Sequence, residues 1–427
     1  MNNIILEKNT LTVLKNEKIS KKNKFLNIQE GSKSFDIFKN NDQKYIDENK
    51  YEDYARIQLK DILKISISNN ASDIHIEPFE EEVLIRIRVD GQLNQILTID
   101  LYSYSSLSTV IKLDSGMNIA EKRLPQDGRT DVKLDDLTLD IRVSTIPTIY
   151  GEKIVLRVLN RQNLIQKKSE LGFFNDAICK IDNIINKASG ILLVTGSTGS
   201  GKTTTVYSIL SDLLNDKKNI MTIEDPVEYK LSGLNQIQVN NKVGLTFDVG
   251  LRSILRQDPD IIMVGEIRDL ETAKTAIRAA STGHLVISTM HTNDAISSID
   301  RLIEMNLPPY LISSTLIGII SQKLIRKVCK YCSHDIVIKD DIEQKLSTKV
   351  ALGCDKCDNT GYQGRTAMYE ILEINDNIKY KINNWTNSQE IRKIAIDNGM
   401  ITFEDSAKYL IENDITTLEE CGLLEGI

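Results

Sequence analysis

The chain has 427 residues, 41% of them hydrophobic and 5% aromatic, and carries a net charge of −7. Its length accommodates about three domains, and its acidic balance argues against a protein whose main task is gripping nucleic acid, which favours a basic footprint. No run of about 18 apolar residues is present to span a membrane, and the opening Met1-Asn2-Asn3-Ile4-Ile5-Leu6-Glu7-Lys8 lacks the apolar core of a signal peptide. A cytoplasmic location is therefore expected, with the six cysteines acting as thiols or metal ligands rather than disulfides.

Residues 1–50 are rich in Lys, Asn, Asp and Glu without helical or strand period, and read as a polar, mobile arm. From Tyr51, the spacing of Tyr54, Ile57, Leu59, Ile62, Leu63 and Ile65 predicts an amphipathic helix. Ser72–Glu77 and Val83–Val89 alternate apolar and polar residues as half-buried strands do, with Asp90-Gly91 a hairpin turn. A second helix is expected from Ser103 to about Met117, then strands over Leu137–Val143 and Lys153–Val158. This makes a small α+β domain over 51–160. It carries Arg86, Arg88, Arg123, Arg129, Arg142 and Arg157, with Asp127-Gly128-Arg129 expected in a loop and Arg142 on a strand. Such an arginine can reach the phosphates of a nucleotide held by a neighbouring domain or subunit; surface ion pairing is the other reading.

A linker over 161–172 leads to a core over 173–328, where strand and helix alternate and a parallel sheet is expected. Gly196-Ser197-Thr198-Gly199-Ser200-Gly201-Lys202-Thr203 matches a phosphate loop at every fixed position. It sits between the apolar strand Ile191–Thr195 and a helix that begins near Thr204. Its backbone N–H groups can wrap a phosphate chain, with Lys202 on the β- and γ-phosphates and the Thr203 hydroxyl on Mg²⁺. Strand Asn219–Ile223 ends in Glu224, where a carboxylate can orient a water; an acidic cap for the next segment is the alternative. Strand Asp260–Val264 ends in Gly265-Glu266, where an Asp is usual. Glu224 and Glu266 must then share metal support and water activation, and either division is open. Arg252 and Arg256 lie one helical turn apart, suited to phosphate or to a structural ion pair. His284 and His291 bracket strand Leu285–Thr289, which places His291 on the nucleotide side.

Leu311–Ile320, the most apolar stretch, reads as a buried helix. Cys329-x-x-Cys332 and Cys354-x-x-Cys357 form two knuckles spaced for tetrahedral Zn²⁺ over 329–366, whereas Cys179 and Cys421 stand alone. The tail, 367–427, has a helical pattern, with Gly399 and Asn413 marking helix ends.

Together these motifs resemble the secretion ATPase superfamily that powers type II secretion and type IV pilus assembly. The resemblance rests on Leu255 to Asp269 (LRQDPDIIMVGEIRD), Thr222 to Glu228 (TIEDPVE) and Thr282 to Asp294 (TGHLVISTMHTND), similar to the family's Walker B, aspartate and histidine boxes. Ser72 to His75, Arg123 to Arg129 and Gly361 to Arg365 are similar to further family stretches. The resemblance implies a RecA-like P-loop core behind a smaller, PAS-like α+β domain, an ATP, Mg²⁺ and Zn²⁺ requirement, and a homo-hexamer. ATP would lie on Gly196 to Thr204. Glu224 looks like the general base and Glu266 like the Mg²⁺ support, the converse staying open; Arg129 and Arg142 look like the phosphate-reaching arginines. The tetracysteine segment favours the assembly and secretion branch over the retraction branch. Partners would be inner-membrane platform proteins, with no direct nucleic acid; a nucleic-acid motor with a zinc knuckle is the competing class. Residues 1–50 are too short and polar to be the extra domain that docks this branch on its platform.

Overall fold

The computed structural model describes residues 48–422 and Ile4–Ile5, except for 136, 161–165, 216, 340–344 and 385–386. The arm expected over 1–50 lies outside the described residues apart from Ile4–Ile5 and 48–50, as do 161–165 of the expected linker. The chain divides into two compact units: Asn9–Asn163, and Leu164–Ile427 with Met1–Lys8. Strand β1 (Ile4–Ile5) belongs to the latter.

The first unit runs α1 (Glu48–Ser68), β2 (Asp73–Pro78), β3 (Val83–Val89), β4 (Gln92–Ile99), α2 (Leu101–Asp114), β5 (Gln126–Leu134), β6 (Leu137–Thr148) and β7 (Gly151–Asn160). Its sheet has the order β4-β3-β2-β7-β6-β5, and every neighbouring pair is antiparallel. Alternate residues such as Ile74, Ile76, Ile85, Ile87 and Leu156 pack with Leu59, Ile62, Leu63, Leu107 and Ile111 of the two helices. The opposite positions are charged. One cross-strand row reads Arg88, Asp73, Arg157, Arg142, Arg129. Asp90 and Gly91 form the expected two-residue turn, both at positive φ. Strands β4 and β5 escaped the sequence reading. Asp127-Gly128-Arg129 lies on β5 rather than in a loop, because this edge strand is polar on both faces yet pairs along its whole length with β6.

The second unit continues with α3 (Asn175–Ile185), β8 (Gly190–Thr195), α4 (Lys202–Leu213), β9 (Ile220–Glu224), β10 (Asn235–Gln238), α5 (Phe247–Ile254), β11 (Ile261–Val264), α6 (Leu270–Ser281), β12 (Leu285–Met290), α7 (Ala295–Glu304), α8 (Pro309–Thr315) and β13 (Leu316–Val328). Then come β14 (Ser333–Lys339), β15 (Lys345–Ala351), β16 (Tyr362–Glu373), α9 (Asp376–Asn383), α10 (Ser388–Asp397) and α11 (Phe403–Glu412). The main sheet has the order β10-β9-β11-β12-β8-β13-β16, parallel throughout except for β16. Its central strands are apolar on both faces, as a sheet covered on both sides requires. Leu192, Val194, Ile261 and Met263 face α3 and α4, whereas Ile191, Leu193, Ile262 and Val264 face α5 to α10.

Two sequence expectations fail here. The stretch Leu311–Ile320 is not one helix: α8 ends at Thr315, and β-branched residues then enter β13. The tail is helical only beyond Glu373, because Tyr362–Glu373 is the antiparallel edge strand β16. A short apolar run does not by itself distinguish strand from helix.

Candidate ATPase site

The phosphate loop joins β8 to α4, at the carboxyl ends of the parallel strands. Gly196 has a φ of 143°, and a Cβ there would lie 2.3 Å from the Gln322 carbonyl oxygen, so only glycine fits. Ser200 follows with its hydroxyl buried and without a hydrogen-bond partner. Lys202 is the first residue of α4, and Thr203 and Thr204 continue its first turn, with Ser197, Thr198 and Gly199 on the open side of the loop. The Lys202 ammonium donates to the carbonyls of Gly196 and Ser197, both at 2.8 Å. Burial pulls its pKa down and the nearby Glu266 carboxylate opposes this. A cation seated over a loop of N–H donors fits a triphosphate.

Three strand ends supply the remaining groups. Gly265 follows β11, and a Cβ at this position would lie 3.2 Å from both the Ile223 carbonyl oxygen and the Glu224 Cα. This close approach of β9 to β11 leaves little room for a side chain at the usual Asp position, and the carboxylate stands on Glu266 instead. Glu266 pairs with Arg268 at 2.6 Å, and its Oε2 lies 3.6 Å from Nε2 of His291. His291 follows β12, as expected. Its pKa falls below the ordinary 6.5, first through burial and then through Lys202, so the imidazole is neutral at pH 7. His284 caps the other end of the strand, its Nδ1 2.8 Å from the Ala279 carbonyl oxygen.

Glu224 ends β9 but is buried. Its carboxylate accepts hydrogen bonds from the hydroxyls of Tyr207 and of Thr222, the latter at 2.6 Å, and from Gln236 Nε2 at 3.3 Å. Tyr207, on α4, was missed by the sequence reading. Its signal is a phenol among Val206, Ile209 and Leu210, since a buried tyrosine hydroxyl needs a partner. Arg252 pairs with Asp248 at 2.8 Å, one turn back on α5. Arg256 lies beyond the end of that helix rather than on its face, donating to the Arg252 carbonyl at 2.9 Å. Among the described residues, Arg252 also lies 4.0 Å from Glu271, and Arg256 donates to the Ser253 hydroxyl at 3.2 Å, both away from the loop. In the first unit, Arg129 pairs with Asp140 and faces Arg142 across the β5–β6 ladder.

The four knuckle cysteines lie between β13 and β16. All four Sγ atoms lie within 4.8 Å of one another, with pairs at 3.9, 3.8 and 3.8 Å. A tetrahedral ion with bonds of about 2.3 Å needs sulfur separations of about 3.8 Å, so the set fits zinc. Cys357 Sγ also accepts N–H donation from Cys354 at 3.3 Å and Gly361 at 3.2 Å, which orients it as an outer hydrogen-bond shell does. His334 is turned away to the Cys332 carbonyl at 3.2 Å.

The sequence pattern of the family described as type II/IV secretion system protein matches residues 48–422. The chain belongs to that family. It is 45% identical over 379 residues to the type IV pilus assembly ATPase PilB of Thermus thermophilus, covering 86% of this chain but 43% of that one. It is 44% identical over 359 residues to the type II secretion system protein HxcR of Pseudomonas aeruginosa, covering 84% of this chain and 75% of that one. Among solved structures, the pilus retraction motor PilT with bound ADP matches at a TM-score of 0.61 and 27% identity, over 86% of this chain and 97% of that one. The ATPase DotB of Legionella pneumophila shares the fold at a TM-score of 0.65 and 23% identity, over 86% and 95%. No helix among the described residues is long and apolar enough to cross a membrane.

Proposed function

We propose that this secretion-family chain hydrolyses ATP and couples the cycle to type II secretion or type IV pilus assembly, working as a homo-hexamer against inner-membrane platform proteins. The observation that carries the ATPase reading is the meeting of Lys202, Glu266 and His291 at the carboxyl ends of β8, β11 and β12. Lys202 would leave the Gly196 and Ser197 carbonyls for the β- and γ-phosphates. Thr203 and Glu266 would hold Mg²⁺, which screens phosphate charge when bound. Neutral His291 and Arg268 would keep the Glu266 carboxylate oriented. Glu224 takes the proton-accepting role once released from Tyr207. Arg129 and Arg142 keep the phosphate-charge role that the family resemblance implies. Zinc on Cys329, Cys332, Cys354 and Cys357 would be structural, because four thiolates leave no open position.

The test is steady-state ATP hydrolysis by the full chain. Lys202→Ala and Glu266→Gln should each lose at least about a hundredfold in kcat, and turnover near wild type in both would sink the enzyme reading. Arg142→Ala should lower kcat by about a thousandfold, and an unchanged kcat would remove that arginine from the chemistry.

A further inference from the structure

Gln322 sits on β13, which lies beside β8 in the sheet, and its side chain is 1% exposed. Its Nε2 donates to the Ser200 carbonyl at 2.7 Å, and its Oε1 accepts from the Thr205 hydroxyl at 2.8 Å. Ser200 belongs to the phosphate loop, and Thr205 to the first turn of α4. One side-chain amide, which offers donor and acceptor in one rigid plane, thus ties the loop to the helix that follows it.

We propose that Gln322 is a positioning residue that aims the phosphate-loop N–H groups. The Ser200–Gly201 peptide transmits this aim. In a trans peptide the C=O and the N–H point in opposite directions. Drawing the Ser200 carbonyl outward onto Gln322 aims the Gly201 N–H inward, toward the concave side of the loop. The bond is buried, so water does not replace it cheaply. The second bond holds the Thr205 hydroxyl away from the first-turn carbonyls. The β13 backbone adds a steric wall, because the Gln322 carbonyl oxygen lies where a Gly196 Cβ would be. Gln322 touches no substrate and acts only through the loop.

The inference rests on the ATPase reading, and its test separates the two. Gln322→Met keeps the length of the side chain and removes both hydrogen bonds. KM for ATP should rise about tenfold while kcat stays within about twofold, because loop shape serves ground and transition states alike. Gln322→Glu is close to isosteric. Its protonated carboxyl can still donate to Ser200 and accept from Thr205, whereas its ionised form has no donor and sets a negative charge behind the loop. Its kcat/KM relative to wild type should therefore rise as pH falls from 8 to 6. Every other charged group of the site is common to both enzymes, so wild type at each pH is the reference. If the Met variant does not fold, the Glu profile decides. A KM within about twofold of wild type, with a flat relative pH profile, overturns the role of Gln322 provided Lys202→Ala is inactive. Wild-type turnover by Lys202→Ala overturns the ATPase reading itself.

Discussion

The carboxylate of Glu224 accepts three hydrogen bonds, from Tyr207, Thr222 and Gln236, before any nucleotide is considered. Thr222 and Gln236 share Oε1 while Tyr207 alone holds Oε2, and this separates two variants. Glu224→Gln should lose at least about a hundredfold in kcat, whereas Tyr207→Phe, which frees the carboxylate, should retain at least about half of wild-type turnover. Equal losses in the two would make Glu224 a strut between α4 and β9 instead. In the first unit, His75 supplies a pH dependence of stability. Its pKa lies below the ordinary 6.5, through burial first and Lys153 second, against the opposing pull of Glu77 and Asp73. The folded chain thus binds this proton less readily than the unfolded chain. The contribution of His75 is intact above about pH 6.5 and is lost as pH falls through the folded pKa. The Tm should decline between pH 7 and pH 5.5, and His75→Asn should flatten that decline; an unchanged slope would place the effect elsewhere.

Among the elements, α7 begins under a charged clasp. Arg392 of α10 bonds Glu370 of β16 at 3.0 Å and Asp294 at 3.1 Å, and Glu370 accepts from the Ala295 N–H at 2.9 Å. Asp294 caps α7 three residues beyond His291. Arg392→Ala leaves the buried Glu370 carboxylate uncompensated and should cost about 3 kcal/mol, the lower end for a buried pair because Arg392 keeps a third of its side chain in solvent. The double variant Glu370→Gln with Arg392→Met should be milder in urea titration; equal destabilisation by both would mean that packing, not charge, holds the clasp. Such contacts mark where sequence reading runs out. The loop on β8 was legible because a fixed spacing of glycines and Lys202 stands between a fully apolar strand and a helix. Glu266 was legible by its position after β11. The commitment of Glu224 was not, since Tyr207 and Gln236 are 17 and 12 residues away. Nor was Gln322, which meets Ser200 across 122 residues. Strand β5 was hidden by its polarity and β16 by a largely apolar run, Ala367–Leu372, broken only by Glu370 and equally suited to a helix.

At the scale of the whole chain, the family match over 48–422 spans both units. ATP with Mg²⁺ should shift the full chain toward a hexamer in sedimentation velocity, and a monomer at all nucleotide states would argue against a ring. Elemental analysis should find about one zinc per chain, lost in Cys354→Ser; a metal-free wild type with intact thiols would remove zinc. The knuckles also act on chain entropy. Val328 and Tyr362 are paired at the end of the β13–β16 ladder, so the chain between them is in effect one long hairpin connection. The entropy of closing such a connection grows with its length, and an ion clamping both ends makes it behave as a short turn. Without the ion, fraying should begin at Val328 and travel down β13. Amide exchange would then speed up at Arg326 and Leu324 before it reached Gln322, whose side chain holds the nucleotide loop.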